Sequence, residues 1–191
     1  MKRTGEMNES LPEGSPPADD QKQKPKTKSS TLKGYLSLLI RLAVFLLILW
    51  VFFTQVLFLK RVSGTAMFPA LKDGDLALGF RLEREYRSGD VILYKDPDGA
   101  LHFGRILTIA GSTVNISGNG AVLINGVQES GEILFPTDDP GTLTYPYTVP
   151  EGSVFVMNDH RTETDDSRIY GAISMDQIQG KVLSILRRRG L

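Results

Sequence analysis

The 191-residue chain has no cysteine, only two histidines, one tryptophan and no surplus of charge, with 22 Lys/Arg against 22 Asp/Glu. Without cysteine there is no disulfide framework, thiolate metal site, thiol nucleophile or redox pair. Two histidines leave little material for a histidine metal centre, so neither a metal nor another cofactor is expected. The balanced charge argues against a nucleic-acid binder, which would carry a basic excess. Nineteen glycines and ten prolines point to turns and short strands rather than a helix bundle.

The balance conceals an uneven distribution. Residues 1–35 hold seven Lys/Arg against five Asp/Glu, include Pro12, Pro16, Pro17 and Pro25, and carry few apolar side chains. Such a segment cannot bury enough surface to offset its ordering entropy, and a disordered tail is expected. From Leu42 to Leu59 eighteen residues run without a charge, roughly 27 Å of helix and close to the thickness of a bilayer core. Leu36 to Ile40 extend the run past Arg41, whose long side chain can reach the interface. A transmembrane anchor over 36–59 follows. A cleaved leader is disfavoured by the length of the run, the preceding tail and the lack of a small-residue exit site. Lys22, Lys24, Lys26, Lys28, Lys33 and Arg41 precede the span, whereas only Lys60 and Arg61 follow closely. The positive-inside rule then puts the tail in the cytoplasm and residues 60–191 outside the cell membrane.

Residues 60–191 read as a mainly β domain with coiled connections. Strand-like runs lie at Leu76–Leu82, Asp90–Tyr94, Leu101–Ile109, Val114–Ile116, Ala121–Ile124, Val154–Met157 and Lys181–Leu186. Asn125-Gly126, between VLI and VQE, is the strongest hairpin signal. The stretch 115–150 is expected to form an accessory hairpin followed by a long loop from Gly131 to Pro150. The terminal run Arg187, Arg188, Arg189 reads as a solvated face, with contact to anionic lipid as the sharper alternative.

Four segments then stand in a telling order: Gly64-Thr65-Ala66-Met67-Phe68-Pro69-Ala70-Leu71 with Gly74-Asp75; Gly89-Asp90-Val91-Ile92-Leu93-Tyr94; His102-Phe103-Gly104-Arg105-Ile106-Leu107; and Asp159-His160-Arg161-Thr162-Glu163-Thr164-Asp165-Asp166-Ser167-Arg168. Together, behind an N-terminal anchor, they resemble the bacterial type I signal peptidases, the S26 peptidases. That resemblance implies a signal peptidase I-like β domain, a substrate drawn from exported pre-proteins, and a Ser nucleophile activated by a Lys base. The matching positions hold Ala66 and Gly104, neither of which can perform those roles. A Ser/Lys pair needs a hydroxyl beside a desolvated amine, and the loss of one member of such a unit already removes about 10³–10⁶ of rate. Thr164 stands where the family has the serine that orients the lysine, and Asn158 and His160 flank Asp159 in place of the usual Gly and Asn.

By the same resemblance, Ser63, Gly64, Thr65 and Met67 would form one wall of an extended-peptide groove and Leu101, His102 and Phe103 the other. Asp159, Arg161, Thr164, Asp166, Ser167 and Arg168 would be structural groups near it. Extra room is expected where Ala66 and Gly104 replace two reactive side chains. The expected function is a non-proteolytic, membrane-anchored protein that binds an extended peptide. It resembles the degenerate members associated with Gram-positive pilus assembly, whose partners are pilins and sortase. The alternative is an active signal peptidase with a rearranged nucleophile; Ser63 and Thr65 are the nearby hydroxyls, both expected to point away from the face of Ala66 in an extended segment, and His102 or His160 would be the base. A self-cleaving repressor is disfavoured by the membrane span.

Overall fold

The computed structural model describes residues 28–130 and 134–187, with side chains from residue 32 onward. The tail before Lys28, with its expected disorder, lies outside those residues, as do Arg188 and Arg189.

Helix α1 spans Lys28–Val51 and loosens into a π-helical turn over Phe52–Val56. Thr54 Oγ1 donates to the Trp50 carbonyl at 2.8 Å within that turn. Leu32–Val56 is long and apolar enough to cross a membrane, and no other helix among the described residues is. The helix begins before and ends before the expected span of 36–59, because Leu57-Phe58-Leu59 belong to strand β1 (Leu57–Arg61). An unbroken apolar run does not reveal where a helical period gives way to a strand. The switch is fixed by tertiary packing instead. Phe58 is buried with its ring over Gly79 and Gly180, where any Cβ would collide with it.

The remaining strands are β2 (Leu76–Phe80), β3 (Val91–Lys95), β4 (Leu101–Ile109), β5 (Thr113–Ile116), β6 (Val122–Ile124), β7 (Val127–Gln128), β8 (Tyr147–Thr148), β9 (Ser153–Met157), β10 (Ile173–Ser174) and β11 (Ile178–Leu186), with a short helix α2 at Ser167–Tyr170. They form a seven-stranded sheet in the order β1-β2-β11-β3-β4-β9-β10 and a four-stranded sheet in the order β7-β6-β5-β8, with every pair antiparallel. The Asn125-Gly126 turn joins β6 to β7 as its sequence predicts. Both residues have positive φ, 52° and 79°, which suits the twist of a two-residue hairpin. Strands β1, β8 and β10 carry no sequence signal of their own; with β7 they are the four edge strands of the two sheets, where pairing rather than patterning defines them.

Three apolar clusters fill the domain. One joins the small sheet to the large one through Leu107, Val114, Val122, Phe155 and Met157. The second packs Ile92, Tyr94, Ile106, Val154, Val156 and Ile173. The third contains Val62, Met67, Leu71 and Ala77, with Val91, Phe103 and Val182 against it.

Candidate peptide groove and degenerate catalytic site

Segment 62–71 leaves β1 and is held by backbone. The Val62 amide donates to the Asp75 carbonyl at 2.8 Å, and the Leu71 amide donates to the Met67 carbonyl at 2.8 Å. Gly64 has φ +85°, a conformation that favours glycine, and its amide donates to Asp73 Oδ1 at 2.9 Å. This turn exposes Ser63, Gly64 and Thr65, half-buries Ala66 and sinks Met67 into the third cluster. Phe103 packs into the same cluster. Met67 and Phe103 thus bring the 63–67 turn and the 101–104 strand segment onto one hydrophobic base.

Strand β4 runs antiparallel to β3, with Gly104 opposite Ile92 and His102 opposite Tyr94. On its other side β9 pairs with β4 from Arg105 onward. The expected extra room at Gly104 is not there. A Cβ on Gly104 would overlap Val156 Cγ1 and lie 3.1 Å from Tyr94 Cε1. Neighbours in the second cluster have moved into the volume that a side chain would need, and only glycine fits without a shift. Tyr94 is fully buried and its hydroxyl has no hydrogen-bond partner among the described residues. Burial pushes that hydroxyl far above its ordinary range, and the charges of Asp166 and Asp165 add to the effect.

The 158–168 loop closes the site from the side of β9. Asp166 and Arg168 are fully buried as an ion pair; Arg168 Nε donates to Asp166 Oδ1 at 2.9 Å and its Nη2 to Oδ2 at 2.6 Å. Asp166 also accepts the Asn158 amide at 2.8 Å and caps α2 by accepting the Arg168 amide at 2.9 Å. The Arg168 guanidinium donates to the carbonyls of Asp138, Arg161 and Glu163 at 2.8, 2.5 and 2.5 Å. Ser167 Oγ accepts the Val156 amide at 2.9 Å. Asp166, Ser167 and Arg168 therefore shape the loop and anchor β9. Thr164 is half-buried nearby. Residue 104 is glycine, so that position supplies no amine for Thr164 to orient.

Asp159 accepts two bonds of 2.7 Å from Arg105, which raise the guanidinium pKa. Arg161 makes a similar two-pronged pair with Glu129 at 2.9 and 2.8 Å. That second pair fastens the end of β7 to the loop, and nothing in the sequence around Glu129 signals it. His102 Nε2 lies 3.0 Å from Asp96 Oδ2 and its Nδ1 lies 3.5 Å from Asp165 Oδ2. A histidine held between two carboxylates has no hydroxyl to activate.

The turn and the loop are laced together at Ala66. Its carbonyl accepts the His160 amide at 2.9 Å, and the hydroxyl of Thr65 donates to Glu163. Thr65, next to Ala66 in the chain, thus has a carboxylate partner that the local sequence does not signal. It is exposed to water. His160 Nδ1 sits 3.2 Å from Glu163 Oε1, yet is too poorly aligned for a hydrogen bond.

The sequence profile of a family described as signal peptidase, peptidase S26, matches residues 32–186. Signal peptidase IB of Staphylococcus aureus is 26% identical over 173 residues, covering 78% of this chain and 88% of that protein. A probable signal peptidase I-1 of Synechocystis is 27% identical over 137 residues, covering 65% and 68%. Signal peptidase I of Bacillus licheniformis is 31% identical over 123 residues, and the match spans 63% of its length. Among solved structures, a signal peptidase I from Enterococcus faecalis is similar at 26% identity and a TM-score of 0.42, covering 53% of this chain and 98% of that one.

Proposed function

The chain belongs to the signal peptidase family, peptidase S26, and on that premise we propose that it is a non-proteolytic member that holds an extended peptide of an exported protein beside the membrane. One observation carries the reading: the space a lysine would need at Gly104 is filled by Val156 and Tyr94. A replaced nucleophile alone could mark a simple knockout. A base position repacked by its neighbours marks a chain whose core has settled around glycine.

Peptide holding is supported by the edge of β4. Residues Leu101–Gly104 extend beyond the pairing with β9, leaving backbone groups that can add a strand. The turn at 63–66 faces the same base of Met67 and Phe103. The occupant is a pre-protein or a pilin subunit crossing the membrane, with sortase as the downstream partner in the pilin case.

The reading takes α1 as the anchor, with the tail inside the cell and the β domain outside, an orientation supported by the excess of cations before the span. Lipid contact is supported by Leu57, Leu59, Leu76, Leu78 and Leu186. Register puts these side chains on one face of β1, β2 and β11, and Leu59 is 60% exposed there, one strand turn after the helix ends.

The second reading, an active signal peptidase, draws on the names of the relatives and on the Thr65–Glu163 hydrogen bond. Both readings meet in one experiment on the full chain in detergent micelles with a fluorescent signal peptide carrying small residues before the scissile bond. Saturable binding without cleavage is expected. Cleavage that disappears on Thr65→Ala, Ser63→Ala or His102→Ala would overturn the non-proteolytic reading.

A further inference from the structure

Beside the lace at Ala66 stands an aromatic ledge that neither the peptide-holding reading nor the family motifs explain. Phe68 and Phe135 lie with ring centroids 6.3 Å apart and planes tilted by 58°. Phe135 in turn rests on the His160 ring at 4.0 Å. Phe68 remains 36% exposed and Leu134, next to Phe135, 51% exposed. Lys72 Nζ lies 5.8 Å from the Phe68 centroid and caps the outer end of the ledge.

Two features make this more than a stray surface patch. The first is its position: the His160 amide is bonded to the Ala66 carbonyl, so the ledge is fixed in register with the nucleophile position. The second is its construction. Phe68 comes from the turn after Ala66, Phe135 from the segment following the accessory hairpin, and His160 from the loop that closes the site. Three separate parts of the chain converge to present ring faces and edges beside the groove. Aromatic rings gain from offset or edge contact with another ring beyond the area they bury. A half-open aromatic pair is thus an incomplete cluster that a third ring can finish.

We infer that this ledge selects the bound peptide, receiving an aromatic or large aliphatic side chain that the peptide presents immediately beyond Ala66. The inference rests on the proposed groove and adds its ligand class: an extended exported segment with a bulky apolar residue next to the position where the family cuts. The ammonium of Lys72 favours an electron-rich ring over an aliphatic chain of similar size.

The test uses the full chain in micelles and a set of fluorescent signal peptides. They are identical except for Ala, Leu, Phe, Tyr or Asp at the first residue after the small-residue motif. Tighter binding of the Phe and Tyr peptides than of the Ala peptide, by roughly tenfold, is expected. Phe68→Ala should abolish that preference while leaving the Ala peptide bound as before. A Phe68→Trp chain in a Trp50→Phe background provides a direct reporter, because Trp50 is the chain's single tryptophan. Its emission should shift on adding the Phe peptide and stay constant with the Ala peptide. Equal binding of all five peptides, or equal weakening of all five by Phe68→Ala, would overturn the ledge and leave the groove standing. Binding of none of them would overturn the groove together with the ledge.

Discussion

Val156 Cγ1 occupies the volume into which any side chain at residue 104 must project, and Tyr94 closes it from the β3 side. Three consequences follow for repair of the site. Gly104→Ala overpacks the cluster and should cost about 1–3 kcal/mol, read as a lowered Tm in micelles. Adding Val156→Ala should return most of it. Ala66→Ser with Gly104→Lys should therefore fail to cleave signal peptides, whereas the same pair with Val156→Ala should restore cleavage. Restoration by the pair alone would show that the pocket yields more easily than its packing implies.

The Tyr94 hydroxyl is fully buried, without a partner among the described residues. A buried polar group left unsatisfied costs about 1–3 kcal/mol, and its apolar isostere carries no such cost. Tyr94→Phe is expected to raise the midpoint of thermal unfolding and to leave peptide binding unchanged. A lower midpoint would mean that the hydroxyl finds a partner in solution.

Much of this architecture was legible in the chain. The long strands carry their own apolar patterns, and Asn125-Gly126 dictates its turn. The four motifs locate Ala66, Gly104, Asp159 and Asp166 before any coordinates. What could not be read were relationships between distant residues. The repacking at Gly104 depends on Val156, a residue whose identity suits any β core. The Thr65–Glu163 bond joins positions 98 apart, and a Glu in a polar loop gives no hint of it. The handover at Leu57 was hidden because Leu-Phe-Leu serves equally as the last turn of a span or the first residues of a strand. Only the glycines at 79 and 180, distant in sequence, reveal where the Phe58 ring must go.

The Asp166–Arg168 pair is the most deeply buried charge in the domain. Removing one partner from such a pair leaves an uncompensated charge and typically costs about 3–5 kcal/mol. Asp166→Ala should therefore unfold or severely destabilise the domain, while Asp166→Asn keeps hydrogen-bonding capacity and should cost less. Limited proteolysis adds a local readout, since the 158–168 loop should become the first site of cleavage in the Asn variant. Intact loops and an unchanged midpoint in both variants would remove this pair from the scaffold.

Asp96 adds a dependence on pH. Burial alone would raise its carboxyl pKa, but the Ala100 amide at 2.8 Å, the His102 ring at 3.0 Å and the Asp98 amide together outweigh it and hold the group below the usual carboxylate range. A carboxyl depressed in the folded state contributes stability that is fully present above its unfolded value, about 3.9. That contribution is lost as pH falls through the folded value. The stability gap between the wild type and Asp96→Asn should therefore shrink as pH falls below about 4. Urea unfolding of both chains in micelles across pH 3–8 measures it. A gap that widens in acid would reverse the sign and show that the Asp96 carboxyl is held neutral by its surroundings.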